Sequence, residues 1–369
     1  MKASFDKKEK NNKKVAIICP YPKDCAPSQR LKYEQYLDLL TEKGFSFEIL
    51  SFFGNNAWKV IYTERNYLKK TTYTLLGYLK RIAFLFSIRK YDILYIHLWV
   101  TPIGFPVFEF LYNHFSKKYI YDIDDLIYLS VKSKFNSKIP FLKGRKKTEY
   151  LISNANHVIS CTPFLDNYAK KFNNNTSDIS STVDTNIYKF RERIINKENI
   201  VLGWSGSFSN TKYLYLIEDA LQRVSKEYNF TLKVIGDKSF RLNGVKTKSI
   251  DWQLESEIKD LYEIDIGLYP LPFEEWVNGK SGLKAIQYMA LGIPTIATNI
   301  GTINRIIKDG KNGFLINENF SHEWYLAIKQ LIEDDKIYKS ISKSACKTIL
   351  EKYSVKVNLS NYLGVFSSI

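Results

Sequence analysis

The segment from Ile264 to Thr298 constrains the fold more than any other part of the chain. Ile264-Asp-Ile-Gly-Leu-Tyr269 is apolar on alternate residues and stops at Pro270, which is the pattern of a strand. Gly279-Lys-Ser-Gly282 then reads as a small-residue loop carrying a lysine, and Leu283 to Leu291 as a helix. Gly292 and Pro294 end that helix, and a short apolar strand closes at Thr298. Strand, loop, helix and strand in this order form the crossover that builds parallel sheets. The helix N-terminus of such a unit turns unpaired N–H groups and the positive end of its dipole beyond the strand ends, so an anionic ligand is the expected guest.

With 369 residues the chain exceeds what one hydrophobic core holds, and two domains are expected. Four cysteines (Cys19, Cys25, Cys161, Cys346) lack CxxC spacing, and four histidines (His97, His114, His157, His322) form no ligand pattern. Reduced thiols, a cytoplasmic compartment, no metal and no other cofactor are therefore expected. The lysine-rich start, Met1 to Lys14, precedes only Val15 to Cys19 before Pro20, too short an apolar run for a signal peptide. Lys80 and Arg81 interrupt the apolar neighbourhood Tyr73 to Ile88, so a transmembrane helix is not expected.

The net charge of +16 is unevenly placed: residues 1–190 carry 30 basic and 17 acidic side chains, residues 191–369 carry 24 and 21. A basic first half can meet nucleic acid, an anionic membrane or a phosphorylated substrate. No zinc-finger spacing, basic zipper or RNP-like segment is present, so nucleic acid is not an expected partner.

Val15-Ala-Ile-Ile-Cys19 reads as a buried strand, Ser28 to Lys43 as a helix ended by Gly44, and Phe45 to Phe52 as a second strand. Asn66 to Arg89 is a long amphipathic segment, either packed on the core with a solvated face or lying against anionic lipid. Ile93 to His97 is the next strand, and His97 stands at its C-terminal end, where open α/β sheets place ligand-binding residues. Tyr119 to Ile123 runs into Asp122-Ile-Asp-Asp125. Beyond it, Lys132, Lys134, Lys138, Lys143, Arg145, Lys146 and Lys147 form a basic run without an acid, suited to an acceptor or a membrane edge. Strands at His157 to Ser160 and Ile179 to Val183 close the first domain, with a linker at Lys189 to Asn199.

In the second half, two strand-to-helix loops are rich in small residues: Ser205 to Asn210, and Gly279 to Gly282. Together they suggest two lips of a diphosphate site, with Lys212 and Lys280 to neutralise charge. Neither fits GxxxxGK[ST] or GxGxxG, which disfavours a P-loop NTPase or a dehydrogenase. Asp122, Asp124 and Asp125 could be a metal-binding DxD, but they lie in the first half, away from the nucleotide features. Capping or acceptor binding by Asp124 or Asp125 is the preferred reading.

The run GKSGLKAIQYMALGIPTIAT, preceded by IDIGLYPLPFEEW and followed by KDGKNGFLI, resembles the donor-binding region of glycosyltransferase family 4 in its bacterial surface-polysaccharide branch. The first half agrees, with CPYP, APSQR, YDILYIH, YDIDDLI, ISCTPFL and STVDTNIY in the expected order. The resemblance covers nearly the whole chain. It implies an α/β fold of two facing Rossmann-like domains, the GT-B type, with a central cleft. It also implies retaining, metal-independent hexosyl transfer from a nucleotide sugar to a saccharide or lipid-linked saccharide. By the same resemblance Gly206, Ser207, Lys212, Lys280, Ser281, Gly282, Leu283 and Gln287 hold the donor. His97, Lys212 and Lys280 carry the chemistry, and Ser28, Arg30, Asp124 and Asp125 face the acceptor. Family members often carry Glu-x7-Glu where this chain has Gly279 and Gln287, and an arginine near Ser207.

The expected domains are 1–190, an acceptor-binding domain whose residues 1–13 form a basic tail, and 191–352, the donor-binding domain. A helix over 353–369 is expected to pack back on the first. The expected partners are a nucleotide sugar, a saccharide or lipid-linked acceptor, and the anionic surface at the inner face of the plasma membrane. The alternatives are a degenerate glycosyltransferase-like scaffold and a nucleotide-sugar epimerase.

Overall fold

The structure, a computed structural model, describes residues 12–63, 65–128 and 145–369. Most of the basic tail, and Lys132, Lys134, Lys138 and Lys143 of the basic run, lie outside the described residues. The chain divides into two compact units, one reaching to Ile179 and completed by Leu359–Ile369, the other Ser180–Asn358.

The first unit holds a six-stranded sheet in the order β2-β1-β3-β4-β5-β6. Its strands are Lys13–Cys19 (β1), Phe45–Ser51 (β2), Ile93–His97 (β3), Tyr119–Ile123 (β4), His157–Ser160 (β5) and Thr176–Asp178 (β6). Every pairing is parallel. Strands β3 and β4 are buried at every position, which is why they read as largely apolar runs, broken only by His97 and Asp122, rather than as alternation.

The second unit repeats the plan in the order β12-β11-β10-β7-β8-β9. Its strands are Ile200–Ser205 (β7), Phe230–Ile235 (β8), Thr247–Ile250 (β9), Ile266–Tyr269 (β10), Thr295–Thr298 (β11) and Phe314–Ile316 (β12). All of these pairings are parallel too. The sheet order is that of the doubly wound nucleotide-binding folds.

Two expectations shift. The helix anticipated over Ser28 to Lys43 is broken into helix Pro27–Arg30, a tight turn at Glu34–Tyr36 and helix Leu37–Thr41. The break falls where Lys32 turns inward to Asp122 and Gln29 bonds Tyr21 and Glu34, so buried polar contacts override helical propensity. Ile179 to Val183 forms no strand. Instead β6 lies just before it, and Val183 makes a lone parallel bridge to Ser354.

The last helix, Val355–Ser368, finishes within the first unit. Phe366 is buried there among the rings of Phe45, Phe47 and Tyr95 at centroid distances of 5.5, 5.8 and 5.8 Å, and Tyr362 stacks near Tyr36 at 4.3 Å. Phe366→Ala is expected to destabilise this unit by about 3 kcal/mol in urea unfolding, the usual loss for an emptied aromatic site. An unchanged midpoint would remove the C-terminal helix from its core.

Candidate functional site

The two small-residue loops leave the C-terminal ends of neighbouring strands. β7 and β10 pair directly, Ile266 beside Leu202 and Gly267 beside Gly203. From β7 the chain winds outward through β8 to β9, then restarts on the other side at β10. The crevice between the loops is therefore the topological switch point, where sheets of this kind hold ligands.

Helix Leu283–Ala290 is fastened at this point by Tyr288. The Tyr288 hydroxyl accepts from the Ser205 backbone N–H at 2.7 Å and donates to Ser205 Oγ at 3.1 Å. Gly267 makes room for the ring, since a Cβ there would lie 2.5 Å from Tyr288 Cδ2. The helix starts from Gly282, whose φ of 75° and ψ of 21° are left-handed and favour glycine. No side chain caps that end, so its first N–H groups stay available to an anion.

Lys284, in the first turn, is the residue that sequence reading missed. Its stem crosses Gly206 so closely that a Cβ there would lie 2.7 Å from Lys284 Cε. Its Nζ lies 5.4 Å from the Trp204 ring centroid and 5.2 Å from that of Tyr269. Among the described residues no carboxylate pairs with it. Burial, and then the charge of Lys280, push its ammonium from the ordinary 10.5 down to about 8. A cation held between two rings at the positive end of a helix is unfavourable until an anion arrives. The available signal was the lysine two places after the Gly282 start, one turn before Tyr288.

Other expected residues gather nearby. Tyr213 and Trp276 form a ring pair 5.8 Å apart, with Lys212 Nζ 5.2 Å from the first centroid and Lys280 Nζ 5.4 Å from the second. Ser207 is exposed, its hydroxyl 3.0 Å from that of Ser209. Ser281 accepts a hydrogen bond from Ser181 at 2.8 Å, and Leu283 opens the helix. Gln287 stands apart from this group. It is buried, and its Nε2 donates to the Tyr188 hydroxyl at 2.8 Å and to Glu257 at 3.3 Å. Trp252 Nε1 donates to the same carboxylate at 3.1 Å.

In the first unit His97 and Asp122 form a buried node at the neighbouring ends of β3 and β4. Asp122 accepts from Lys32 through one oxygen, and from Tyr95 at 2.7 Å and His97 Nδ1 at 2.8 Å through the other. Burial alone would push the Asp122 carboxyl up, but Lys32 and His97 outweigh it and hold it at about 2. The carboxylate is thus ionised and Nδ1 carries the proton, leaving Nε2 as the second ring nitrogen. His97 Nε2 is buried and has no hydrogen-bond partner among the described residues, so it can receive a hydroxyl.

Asp124 lies 3.7 Å from the Lys32 ammonium, which fills the space between the two carboxylates where a DxD pair would seat its cation. Asp125 accepts from the Leu126 backbone N–H at 2.8 Å, a local turn bond. Ser28 and Arg30 are half-buried on the short helix Pro27–Arg30, either side of the buried Gln29.

Residues 199–334 match the family model described as glycosyl transferases group 1. An uncharacterised 41.2 kDa protein from the cps region of Klebsiella pneumoniae is 25% identical over 297 residues, 76% of this chain and 79% of that one. CapM of Staphylococcus aureus, a capsular polysaccharide biosynthesis glycosyltransferase, is 24% identical over 187 residues, 47% of this chain and 48% of its own. The crystal structure of Anabaena HepE in complex with UDP and glucose is similar at a TM-score of 0.66 and 17% identity, across 97% of this chain and 100% of that one. These findings bear out the resemblance drawn from the motifs. Residues 199–334 thus carry a group 1 glycosyltransferase domain, and the chain has a GT-B-type α/β fold.

The strained lysine yields a test of its own. Because folding lowers its pKa, the Lys284 charge opposes stability at every pH below about 8, and the penalty fades as pH rises toward 10.5. Lys284→Met keeps the stem and removes the charge, so the melting temperature at pH 7 should rise by about 3 °C and the gain should shrink at pH 10. A lower melting temperature at pH 7 would mean that the ammonium is paired.

Proposed function

We propose that this protein is a retaining glycosyltransferase that moves a hexosyl group from a nucleotide sugar to a saccharide or lipid-linked saccharide of the bacterial cell surface. It would work in the cytoplasm at the inner face of the plasma membrane. The observation that carries the reading is the unpaired Lys284 beside Gly206 at the switch point, with Lys280 near it and an uncapped helix N-terminus. Relatives named for a cps region and for capsule biosynthesis support the pathway, and a structural neighbour holding UDP and glucose supports the donor class.

In this reading the bond from the sugar's anomeric carbon to the β-phosphate oxygen breaks, and charge grows on that oxygen while the sugar becomes oxocarbenium-like. Lys284, Lys280 and the N–H groups of Leu283 and its neighbours stabilise the departing diphosphate. They supply the positive charge that a divalent ion supplies elsewhere, so EDTA should leave turnover unchanged. His97, oriented by Asp122, offers Nε2 to a hydroxyl of the sugar or acceptor. Asp124, Ser28 and Arg30 remain the acceptor-side candidates.

With Gly279 and Gln287 in place of two glutamates, and the Gln287 amide nitrogen committed to Tyr188 and Glu257, a scaffold that has lost catalysis is the competing reading. Thermal shifts against UDP-, GDP-, CMP- and dTDP-sugars separate the two. One donor class at a hundredfold excess over its Kd should stabilise the protein by about 2.7 kcal/mol. Lys284→Met and Lys280→Ala should each weaken that shift by tenfold or more in affinity, roughly the 1.5–3 kcal/mol of a charge-assisted bond. No shift with any donor favours the scaffold, and an unchanged Lys280→Ala removes that lysine from the diphosphate site.

A further inference from the structure

Helix Tyr67–Leu85 in the first unit has two apolar faces. One, around Gly77, Arg81 and Phe84, is buried against the unit. The other is bare: Leu68, Leu75, Leu79, Ile82 and Phe86 are 87, 60, 58, 44 and 89% exposed. At about 100° per residue these five positions fall within an arc of about 60°, opposite the buried face. The helix, 19 residues and about 28 Å long, therefore carries a straight apolar ridge along its outer side.

The ridge continues sideways onto a neighbouring segment. Tyr78 donates to the Ile103 carbonyl at 2.5 Å and its ring lies 5.6 Å from Phe108, which sets Ile103 and the Phe105 that follows it beside the helix. Both are roughly half exposed. Soluble proteins rarely leave so much contiguous large apolar surface uncovered without a use for it.

Charge identifies the occupant. Between Arg65 and Tyr91 there is no acidic residue, while Lys69, Lys80, Arg89 and Lys90 are exposed along the margins of the ridge. Lys69 and Lys80 project about 110° and 130° from its centre, where long stems can lie along a nonpolar phase and lift their ammonium groups into a phosphate layer. Among the described residues no helix is long and apolar enough to cross a membrane, so this one would lie flat.

We propose that this face docks on an anionic lipid bilayer, with Leu75, Leu79 and Phe86 entering the acyl boundary and the flanking lysines meeting lipid phosphates. The inference rests on the proposed location at the inner face of the plasma membrane but uses no feature of the donor site, so donor-induced thermal shifts test the transferase reading separately.

The test is flotation of the full chain with vesicles at low salt, comparing phosphatidylglycerol-containing vesicles with pure phosphatidylcholine. The protein should float with the anionic vesicles and about tenfold less with the neutral ones, and the difference should shrink at high salt. The exposed triple variant Leu75→Gln, Leu79→Gln, Phe86→Gln should lose vesicle binding about tenfold while keeping its melting temperature and circular dichroism. Lys69→Gln, Lys80→Gln, Lys90→Gln should erase the preference for anionic lipid. Wild-type protein left at the bottom with anionic vesicles overturns the proposal, as does an apolar variant that floats like wild type. A concentration-dependent dimer that the apolar variant abolishes, without vesicle binding, also overturns it and assigns the face to a second copy.

Discussion

The hydroxyl of Tyr288 joins the end of β7 to the helix that follows β10, and the geometry of the second unit's crevice depends on that joint. The Ser205 N–H lies at a strand end, where a buried backbone donor would otherwise be left without a partner. Tyr288 satisfies it, and in doing so fixes the distance between two loops that are far apart in sequence. Gly267 is the permissive half of the joint, because any side chain there would displace the ring. One turn back along the same helix, Lys284 is laid across Gly206. Gly206, Gly267, Gly282, Ser205 and Tyr288 thus act as one mechanical unit whose product is the position of a single ammonium group.

Much of the architecture was legible because parallel strands buried on both faces leave short, largely apolar words such as Val15–Cys19, Ile93–Ile96 and Ile200–Trp204. Glycines and prolines punctuate them, and their alternation with helices dictates parallel sheets. What escaped depends on partners distant in the chain. Lys32 breaks a helix for the sake of Asp122, 90 positions away. Lys284 looks like an ordinary helix residue until Trp204 and Tyr269 are placed around it. Gln287 reads as an available amide, yet Tyr188 and Glu257 occupy its nitrogen. The two small-residue loops were visible as composition, whereas the cation between them was visible only as geometry.

The positive charge of the first half is likewise not all surface. Lys32, Arg81 and Lys147 are buried, each answered differently: Lys32 by Asp122, Arg81 by the carbonyls of Val100, Leu50 and Cys19, and Lys147 by Thr101 and Glu109. Removing any one of these partners would strand an ion in a medium that solvates it poorly. The Lys32 pairing has the widest effect, since it helps keep Asp122 ionised, which fixes the tautomer of His97 and leaves one imidazole nitrogen available. Lys32 is thus a positioning residue for His97 without touching it.

The helix Val355–Ser368 ends inside the unit that begins the chain, whereas the second unit is a single continuous stretch. On the ribosome this sets an order of events. Strands β1 and β2 emerge before the second unit, yet Phe45 and Phe47 must wait for Phe366, which follows that whole unit in the chain, before their ring cluster can close. The second unit emerges later but needs nothing beyond its own end, so it can be complete while the first still lacks its final piece. Of the two units, the one translated earlier is the later to finish folding.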